Sequence, residues 1–463
     1  MHYNNLSGDG VSFLSNNRNA RETALQVLLA VESQGAYANL ALRSLLDREN
    51  AKRLDRAFAT ELVYGTLRSL NSLDWVLDQF LKKPLVKQTP VVRNVLRLGL
   101  YQILYMDRVP DSAACNESAN LARRYENPGA VKFVNGVLRN VTRKKGDINF
   151  PDPNQDAVKY ISLKYSHPQW IVQRWVEMYG LDEATEICKA NNNSAPTTVR
   201  TNTLKVTREE LTNLLKAEGL DVTPTILAPE GLMLENVHGL GQLKAFKDGL
   251  MQVQDESSML VGHALAPEPG TKVLDMASAP GGKTTHLAQL MGDKGEITAC
   301  DIHAHKLKLV KDNCRRLGIT IVNSHWGDAR NLSDNFANWA DYVLLDAPCS
   351  GLGVLRRRPD ARWRKDEGQI KEIAVLQKEL LEEAGKCLKP GGVMVYSTCT
   401  ITHEENTDLV KGFLASHENF CFDSLEEYLP KELRELNKGY VQLLPHQHHT
   451  DGFFIARLHK KRD

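Results

Sequence analysis

Residues 271–301, TKVLDMASAPGGKTTHLAQLMGDKGEITACD, decide the fold of this chain. An apolar run (KVLDM) leads into small and glycine-rich residues, then an amphipathic run (THLAQLM), then a second apolar run that closes on an acid. Short apolar runs bounded by turn signals read as strands buried on both faces, and the stretch with helical period between them reads as a helix. The same alternation continues through KLKLVKDNCRRLG, ITIVN, ADYVLLDAP, a helix ending near Leu388, and GGVMVYSTCT. This order predicts an α/β unit built on a doubly wound, mainly parallel sheet. Ligands on such sheets sit beyond the carboxyl ends of the strands, so those ends are where function should be sought.

Upstream, the pattern changes. From about residue 20 to 145 the period is helical throughout: Leu54, Phe58 and Leu62 recur four apart, and Leu73, Leu77, Phe80 and Leu81 form a second stripe. QTPVVRNVLRLGLYQILYMDRVP starts a buried helix at Pro90 and stops it before Pro110. An all-α bundle is expected, with the basic residues Arg139, Arg143, Lys144 and Lys145 as a solvated end. Between about 150 and 265, helices (WIVQRWVEMYG, TREELTNLLKAEG) alternate with strands (TTVRTNT, GLMLENV), a small α/β subdomain, and Asp255 or Ser257 caps the helix that leads onward. The expected division is 1–148, 149–262 and 263–463.

The bulk composition agrees with several folded units. A chain of 463 residues exceeds one ordinary core, and 42% hydrophobic with 25% charged residues is that of globular proteins. The opening MHYNNLSGDG has no basic stretch followed by an apolar run, and no run is long enough to cross a bilayer, so a cytoplasmic protein with no membrane partner is expected. The 8 cysteines form no C-x-x-C pair, which argues against a structural zinc site and a disulfide framework. With 58 Lys+Arg against 57 Asp+Glu, net charge alone does not mark a nucleic-acid binder.

Five strand ends carry the chemistry. The first holds Ala277, Ser278, Ala279, Pro280, Gly281, Gly282 and Lys283 before a helix: adjacent glycines let backbone approach a ligand, and the helix start offers unpaired N–H groups to a carboxylate. The second ends at Asp301, spaced from the glycines as the acid that binds ribose hydroxyls is. The third carries Asp328, placed to face an adenine. The fourth is Asp346-Ala347-Pro348-Cys349-Ser350-Gly351, and the fifth Ser397-Thr398-Cys399-Thr400. A lone cysteine near a buried strand is commonly an inert small hydrophobe. Two at neighbouring strand ends, facing one cleft, suit covalent catalysis: a thiolate adding to carbon 6 of cytosine makes carbon 5 nucleophilic enough to accept a methyl group. Asp346 near N3 and the exocyclic amine is expected to stabilise the developing charge, and Lys283 or a nearby helix terminus to supply the positive field that a thiolate needs.

These residues resemble the RNA cytosine-5 methyltransferases of the NOL/NOP/Sun (RsmB) type: APGGK at 279–283, Asp301, GDA at 327–329, DAPCSG at 346–351 and STCT at 397–400 stand in that family's order. The resemblance implies a Rossmann-like methyltransferase sheet, S-adenosyl-L-methionine as cofactor, Cys399 as nucleophile and Cys349 as the thiol that helps release product. It places residues 277–283, Asp301, Asp328 and Asp346 around the cofactor and target base. Ala277 departs from the cysteine that relatives often carry there. The bundle, with DRAFATELVYGTLR and KFVNGVLRN, resembles the NusB-like RNA-binding domain of bacterial RsmB enzymes, so the implied substrate is a cytosine in 16S, small-subunit ribosomal RNA.

The basic strip from Leu355 to Lys365, with Trp363, is expected to flank the cleft and meet RNA. His446, His448 and His449 read as surface loop histidines, and no metal is expected. A monomer is the starting assumption. Two other readings stand beside the methyltransferase: a P-loop NTPase, which reads Ala277 to Thr284 as a loosened A-x-x-x-x-G-K-T with Asp346 on magnesium, and a non-catalytic RNA-binding or ribosome-assembly factor. Pro280 weakens the first, because it removes an N–H from the loop that must cradle phosphate. The paired thiols weigh against the second.

Overall fold

The computed structural model describes residues 19–49, 51–235, 237 and 239–462; the polar opening read above, MHYNNLSGDG, lies outside them. Two compact units divide the chain, Met1–Gln173 and Arg174–Asp463. Among the described residues no helix is long and apolar enough to cross a membrane.

Among its described residues the first unit is all helical, as its period predicts. Pro90–Tyr105 is its centre, started by Pro90 at the first helical position and by Thr89, whose hydroxyl accepts from the Val92 N–H at 3.2 Å. Val92 and Val95 to Ile103 are buried on every side of it, as befits a helix surrounded by others. Its one deep cation, Arg97, makes two 2.7 Å hydrogen bonds to the Asp74 carboxylate. The stripe expected at Leu54, Phe58 and Leu62 is displaced: the helix Arg53–Arg68 buries Ala59, Leu62, Val63, Thr66 and Leu67, whereas Leu54, in its first turn, is 82% exposed. Spacing by fours from Leu62 drifts off the buried face, because 3.6 residues make a turn.

In the second unit a small antiparallel sheet comes first. Its strands β1 (Thr197–Thr201), β2 (Asp221–Pro224), β3 (Gly231–Glu235) and β4 (Met251–Val253) lie in the order β2-β3-β1-β4. Helix Arg208–Ala217 covers it and is fixed at its start by a capping box between Thr207 and Glu210. Val199, Leu211, Leu215, Leu232 and Met251 form the core between them.

The larger sheet runs β10-β12-β9-β8-β5-β6-β7, with β11 also on β12. Its strands are β5 (Lys272–Asp275), β6 (Glu296–Asp301), β7 (Val322–Trp326), β8 (Ala340–Asp346), β9 (Leu388–Thr398), β10 (Phe420–Phe422), β11 (Tyr440–Leu443) and β12 (Phe453–Lys460). Strands β5 to β9 are parallel, and β12 then pairs antiparallel with β9, β10 and β11. Successive residues go to opposite faces: Val273, Leu344, Val395 and Ile455 pack with the helices Glu256–Leu265, Gly282–Leu290 and Ala304–Leu317, while Leu274, Val343, Met394 and Phe454 pack with Glu367–Cys387 and Thr407–Ser416. This two-sided burial is why the strands read as unbroken apolar runs. Asp255 is the cap of Glu256–Leu265, its carboxylate accepting from the Ser257 N–H at 3.0 Å. After β5 the chain goes to β6 and β7 on one side, then returns to β8 and β9 on the other, so the switch point lies between β5 and β8. The loops after β5, β8 and β9 open there.

Candidate active site

The loop after β5 turns on Gly281, whose φ of +96° is the left-handed conformation that glycine adopts without strain. It starts the helix Gly282–Leu290, and the loop is tied back by Ser278, whose N–H and hydroxyl donate to the Cys300 carbonyl at 2.8 and 2.9 Å. Beneath it, Asp275 is buried and accepts from the Thr284 hydroxyl at 2.7 Å, and burial lifts its carboxyl to about 7.

Lys283 reaches from this helix to the end of β8, where its Nζ lies 2.7 Å from Asp346 Oδ2, and Ser397 donates to the other oxygen at 2.9 Å. Asp346 is therefore held from β5's helix and from β9 together. The two cysteines meet beside it: Cys349 Sγ and Cys399 Sγ are 3.3 Å apart, and both are half-buried. The hydrogen bond they share raises Cys349 and lowers Cys399, burial adding to the rise of the first and the Lys283 charge to the fall of the second. One proton thus stays with Cys349 and Cys399 is the readier thiolate.

A cleft of about 350 Å³ opens over Ala277, Ser278, Ala279, Pro280, Gly282, Lys283, Asp346 and Cys399. Asp301 and Asp328 stand further along the strand ends. The Asp301 carboxylate accepts from the His303 N–H at 2.7 Å, and beside it Ile302 and Trp326 are 52% and 69% exposed, joined by an indole N–H donating to the Ile302 carbonyl at 3.0 Å. Asp328 is occupied by Arg330, whose guanidinium donates at 2.6 and 3.1 Å and holds the carboxylate below its ordinary range.

The strip after Cys349 differs from expectation. Arg356 and Arg357 both bond Asp451, at 2.5 Å each, and Arg357 also bonds Asp255. Arg362 is fully buried, donating to Asn192 Oδ1 and the Asn191 carbonyl. These guanidiniums spend their donors on the protein, because carbonyl and carboxylate groups of the same unit converge there; of the arginines in the strip only Arg358 is exposed. His446 likewise is no free surface group, its Nε2 being 2.5 Å from Glu183 Oε2 in the one-turn helix Pro445–His448.

Two buried charged residues beside the site were given no role by the sequence reading. Arg200, on β1, is wholly buried and donates to the Gly282 carbonyl at 2.7 Å, to Thr285 Oγ1 at 3.0 Å, to Gln289 Oε1 at 3.2 Å and to Gln254 Oε1, so it clamps the first turn of the glycine-loop helix. Burial takes its pKa down to about 9. An arginine amid the strand run TTVRT was the available signal. Glu405 is buried between the two cysteine loops and is taken up below.

Among the described residues one cluster has metal-ligand side chains: Glu230, His263 and His286 each bring a ligand atom within 4.8 Å of the others. Glu230 Oε1 is 2.7 Å from His286 Nε2, and both its oxygens are 3.0 Å from His263 Nε2. The two imidazoles hold Glu230 well below the carboxylate range against the penalty of burial, while burial and the Arg200 charge take His286 down to about 4. An imidazole in the unfolded chain titrates at about 6.5. Between those values the unfolded state takes up a proton that the folded state refuses, so stability falls as pH falls through this window. Urea unfolding should show the wild type losing about 1 kcal/mol more than His286→Gln between pH 7 and 5.5; equal losses in the two proteins would refute this.

Comparison with known proteins matches each of the three segments of the chain to a known family. The family described as "16S rRNA methyltransferase RsmB/F" matches residues 262–459, the NusB family residues 18–143, and the ferredoxin-like domain of RsmF/B-like methyltransferases residues 167–239. The "Probable ribosomal RNA small subunit methyltransferase B" of Bacillus subtilis is 40% identical over 95% of this chain and 98% of its own, and that of Synechocystis is 37% identical over 95% and 99%. The crystal structure of PH0851 superposes with a TM-score of 0.78 at 30% identity, covering 95% of this chain and 99% of that one. That of NSun6 from Pyrococcus horikoshii with SFG gives 0.59 at 29%, covering 64% and 99%. With such identity over nearly the whole of both chains, this protein belongs to the 16S rRNA methyltransferase RsmB/F family.

Proposed function

We propose that this enzyme transfers a methyl group from S-adenosyl-L-methionine to carbon 5 of a cytosine in 16S ribosomal RNA, through a covalent adduct on Cys399. The observation that carries the reading is the pair of thiols 3.3 Å apart, beside the Lys283–Asp346 ion pair and over the glycine loop. Membership of a methyltransferase family leaves the P-loop reading without support, and a pure binding factor has no use for such a pair.

The chain's own groups fit the cofactor. The N–H groups at the start of Gly282–Leu290 suit its carboxylate, Asp301 its ribose hydroxyls, and the exposed Ile302 and Trp326 an aromatic ring, with Ala277 to Lys283, Asp328 and Asp346 completing the surround. When bound, the cofactor supplies an electrophilic methyl group. Cys399 Sγ forms a bond to carbon 6, and the electron pair of the carbon 5–carbon 6 double bond moves into the ring as an enamine. Asp346, steadied by Lys283 and Ser397, accepts a hydrogen bond from the exocyclic amine and fixes the ring, while the Lys283 ammonium offsets the negative charge that develops at N3. Once carbon 5 carries the methyl group its proton leaves to a base; the freed pair restores the double bond and expels Cys399 as thiolate, with Cys349 assisting release. The attack on carbon 6 needs a base out of its stack, hence a single-stranded or extruded cytosine. The NusB-like unit, 1–148 in this reading, and the small subdomain, 149–262, hold the RNA for the catalytic domain, 263–463.

Nucleoside analysis after reaction of 16S rRNA with methyl-labelled cofactor tests this. All label is expected in 5-methylcytidine. Label in any other nucleoside overturns the choice of atom, and no label in any RNA favours the binding-factor reading.

A further inference from the structure

Six residues beyond Cys399, a buried carboxylate joins the two cysteine loops. Glu405 is 0% exposed and accepts four hydrogen bonds: from the Ser350 N–H at 2.7 Å and hydroxyl at 2.5 Å, from Thr402 Oγ1 at 2.7 Å and from Gln377 Nε2 at 3.1 Å. Ser350 follows Cys349, and its hydroxyl also meets Thr400 Oγ1, next to Cys399, at 2.8 Å. Gln377 bonds the Pro348 carbonyl at 2.8 Å, on the other side of Cys349. A buried charge is costly unless its bonding capacity is met, and here every donor that meets it comes from a residue fixing one of the two loops.

We propose that Glu405 is the positioning residue that divides the labour of the thiols, by locking the Pro348–Ser350 turn against the Thr400–Thr402 turn and by setting its negative charge on the Cys349 side of the pair. The inference rests on the covalent reading above. Two thiols with the same neighbours are interchangeable as nucleophiles; these differ first through the hydrogen bond they share, which raises Cys349 and lowers Cys399, and then through the charges beside them. Glu405 is among the groups that raise Cys349, and Lys283 among those that lower Cys399. Cys349 then keeps its proton at the stage when Cys399 must attack, and is held near enough to act when Cys399 must leave. Glu405 is buried, does not line the cleft, and acts through the two cysteine loops that it joins.

Glu405→Gln keeps the shape and removes the charge. In the full-length protein with 16S rRNA and S-adenosyl-L-methionine, turnover should fall about 10- to 100-fold, the scale of a small misplacement at a reacting group. The KM for RNA should stay within about twofold, and a covalent protein–RNA band should build up on a denaturing gel. The pH profile of release should also move to lower pH, because Cys349 loses a neighbouring negative charge. A purely structural role would lower the amount of active enzyme without trapping an adduct or moving the profile. Should Glu405→Gln fail to fold, Ser350→Ala, which removes one contact from each loop, should show the same trapped band more weakly. Full turnover with no band in the folded variant overturns the proposal. Cys349→Ala run beside it separates the two failures: if Cys349→Ala traps an adduct and neither Glu405→Gln nor Ser350→Ala does, Glu405 has no such role, and if Cys349→Ala traps none, the assignment of the thiols falls first.

Discussion

Cys399→Ala is expected to abolish methyl transfer, a loss of about 10⁴-fold or more, and to form no covalent band with RNA, whereas Cys349→Ala should accumulate one. The difference follows from the site's electrostatics. Cys399 lies on the cleft, under the Lys283 charge and hydrogen-bonded to a thiol that keeps the shared proton. Its removal leaves the ring with no group to add at carbon 6. Cys349 is 3.3 Å behind it, between a proton-retaining neighbourhood and the leaving sulfur. Without Cys349, attack and methylation still proceed, but the elimination that frees the product is slowed and the adduct persists. Denaturing electrophoresis of both variants after incubation with rRNA and labelled cofactor reads this directly. A band from Cys399→Ala instead would mean that the thiols have exchanged tasks.

Arg200→Met is expected to destabilise the second unit by about 3 kcal/mol, lowering its unfolding temperature by about 10 °C, and to weaken cofactor binding as well. Its guanidinium satisfies the Gly282 carbonyl, Thr285, Gln254 and Gln289 in a site sealed from water. Methionine fills the volume but takes away the buried donors that these four groups share, and Glu230 loses a positive charge that interacts with it. Because Gly282 and Thr285 stand at the start of the glycine-loop helix, the loop that should grip the cofactor loosens with them. Calorimetry and cofactor titration measure the two effects, and an unfolding temperature within about 2 °C of wild type would contradict the first.

The strand ends were legible because each was written locally: an apolar run, then a break rich in glycine, proline or acid. That sufficed to put Lys283, Asp346, Cys349 and Cys399 at neighbouring ends. It did not reveal that the Arg356–Arg362 strip turns inward, since a run of arginines looks the same in sequence whether it meets phosphate or Asp255 and Asp451, which lie about a hundred residues away on either side. Arg200 and Glu405 were missed for a related reason. Each does its work through partners that only the folded chain supplies, Gln289 for one and Ser350 for the other. Leu54 shows the limit of counting by fours, since 3.6 residues make a turn and two such steps from Leu62 leave the buried face.

Strand β12 has a bearing on how this protein is made. It covers the outer edge of β9, the strand that presents Cys399, and on its other side carries β11 along Phe453 to Ala456 and β10 along Leu458 to Lys460. While a ribosome is still short of residue 453, β9 has nothing to pair with on that side, and the surface meant for Phe454 and Ile455, both fully buried in the finished sheet, stands open. The strand that ends at Cys399 is therefore the last part of the sheet to be closed, and the nascent domain passes through an interval of exposed, sticky edge that falls just before synthesis of this sheet is complete.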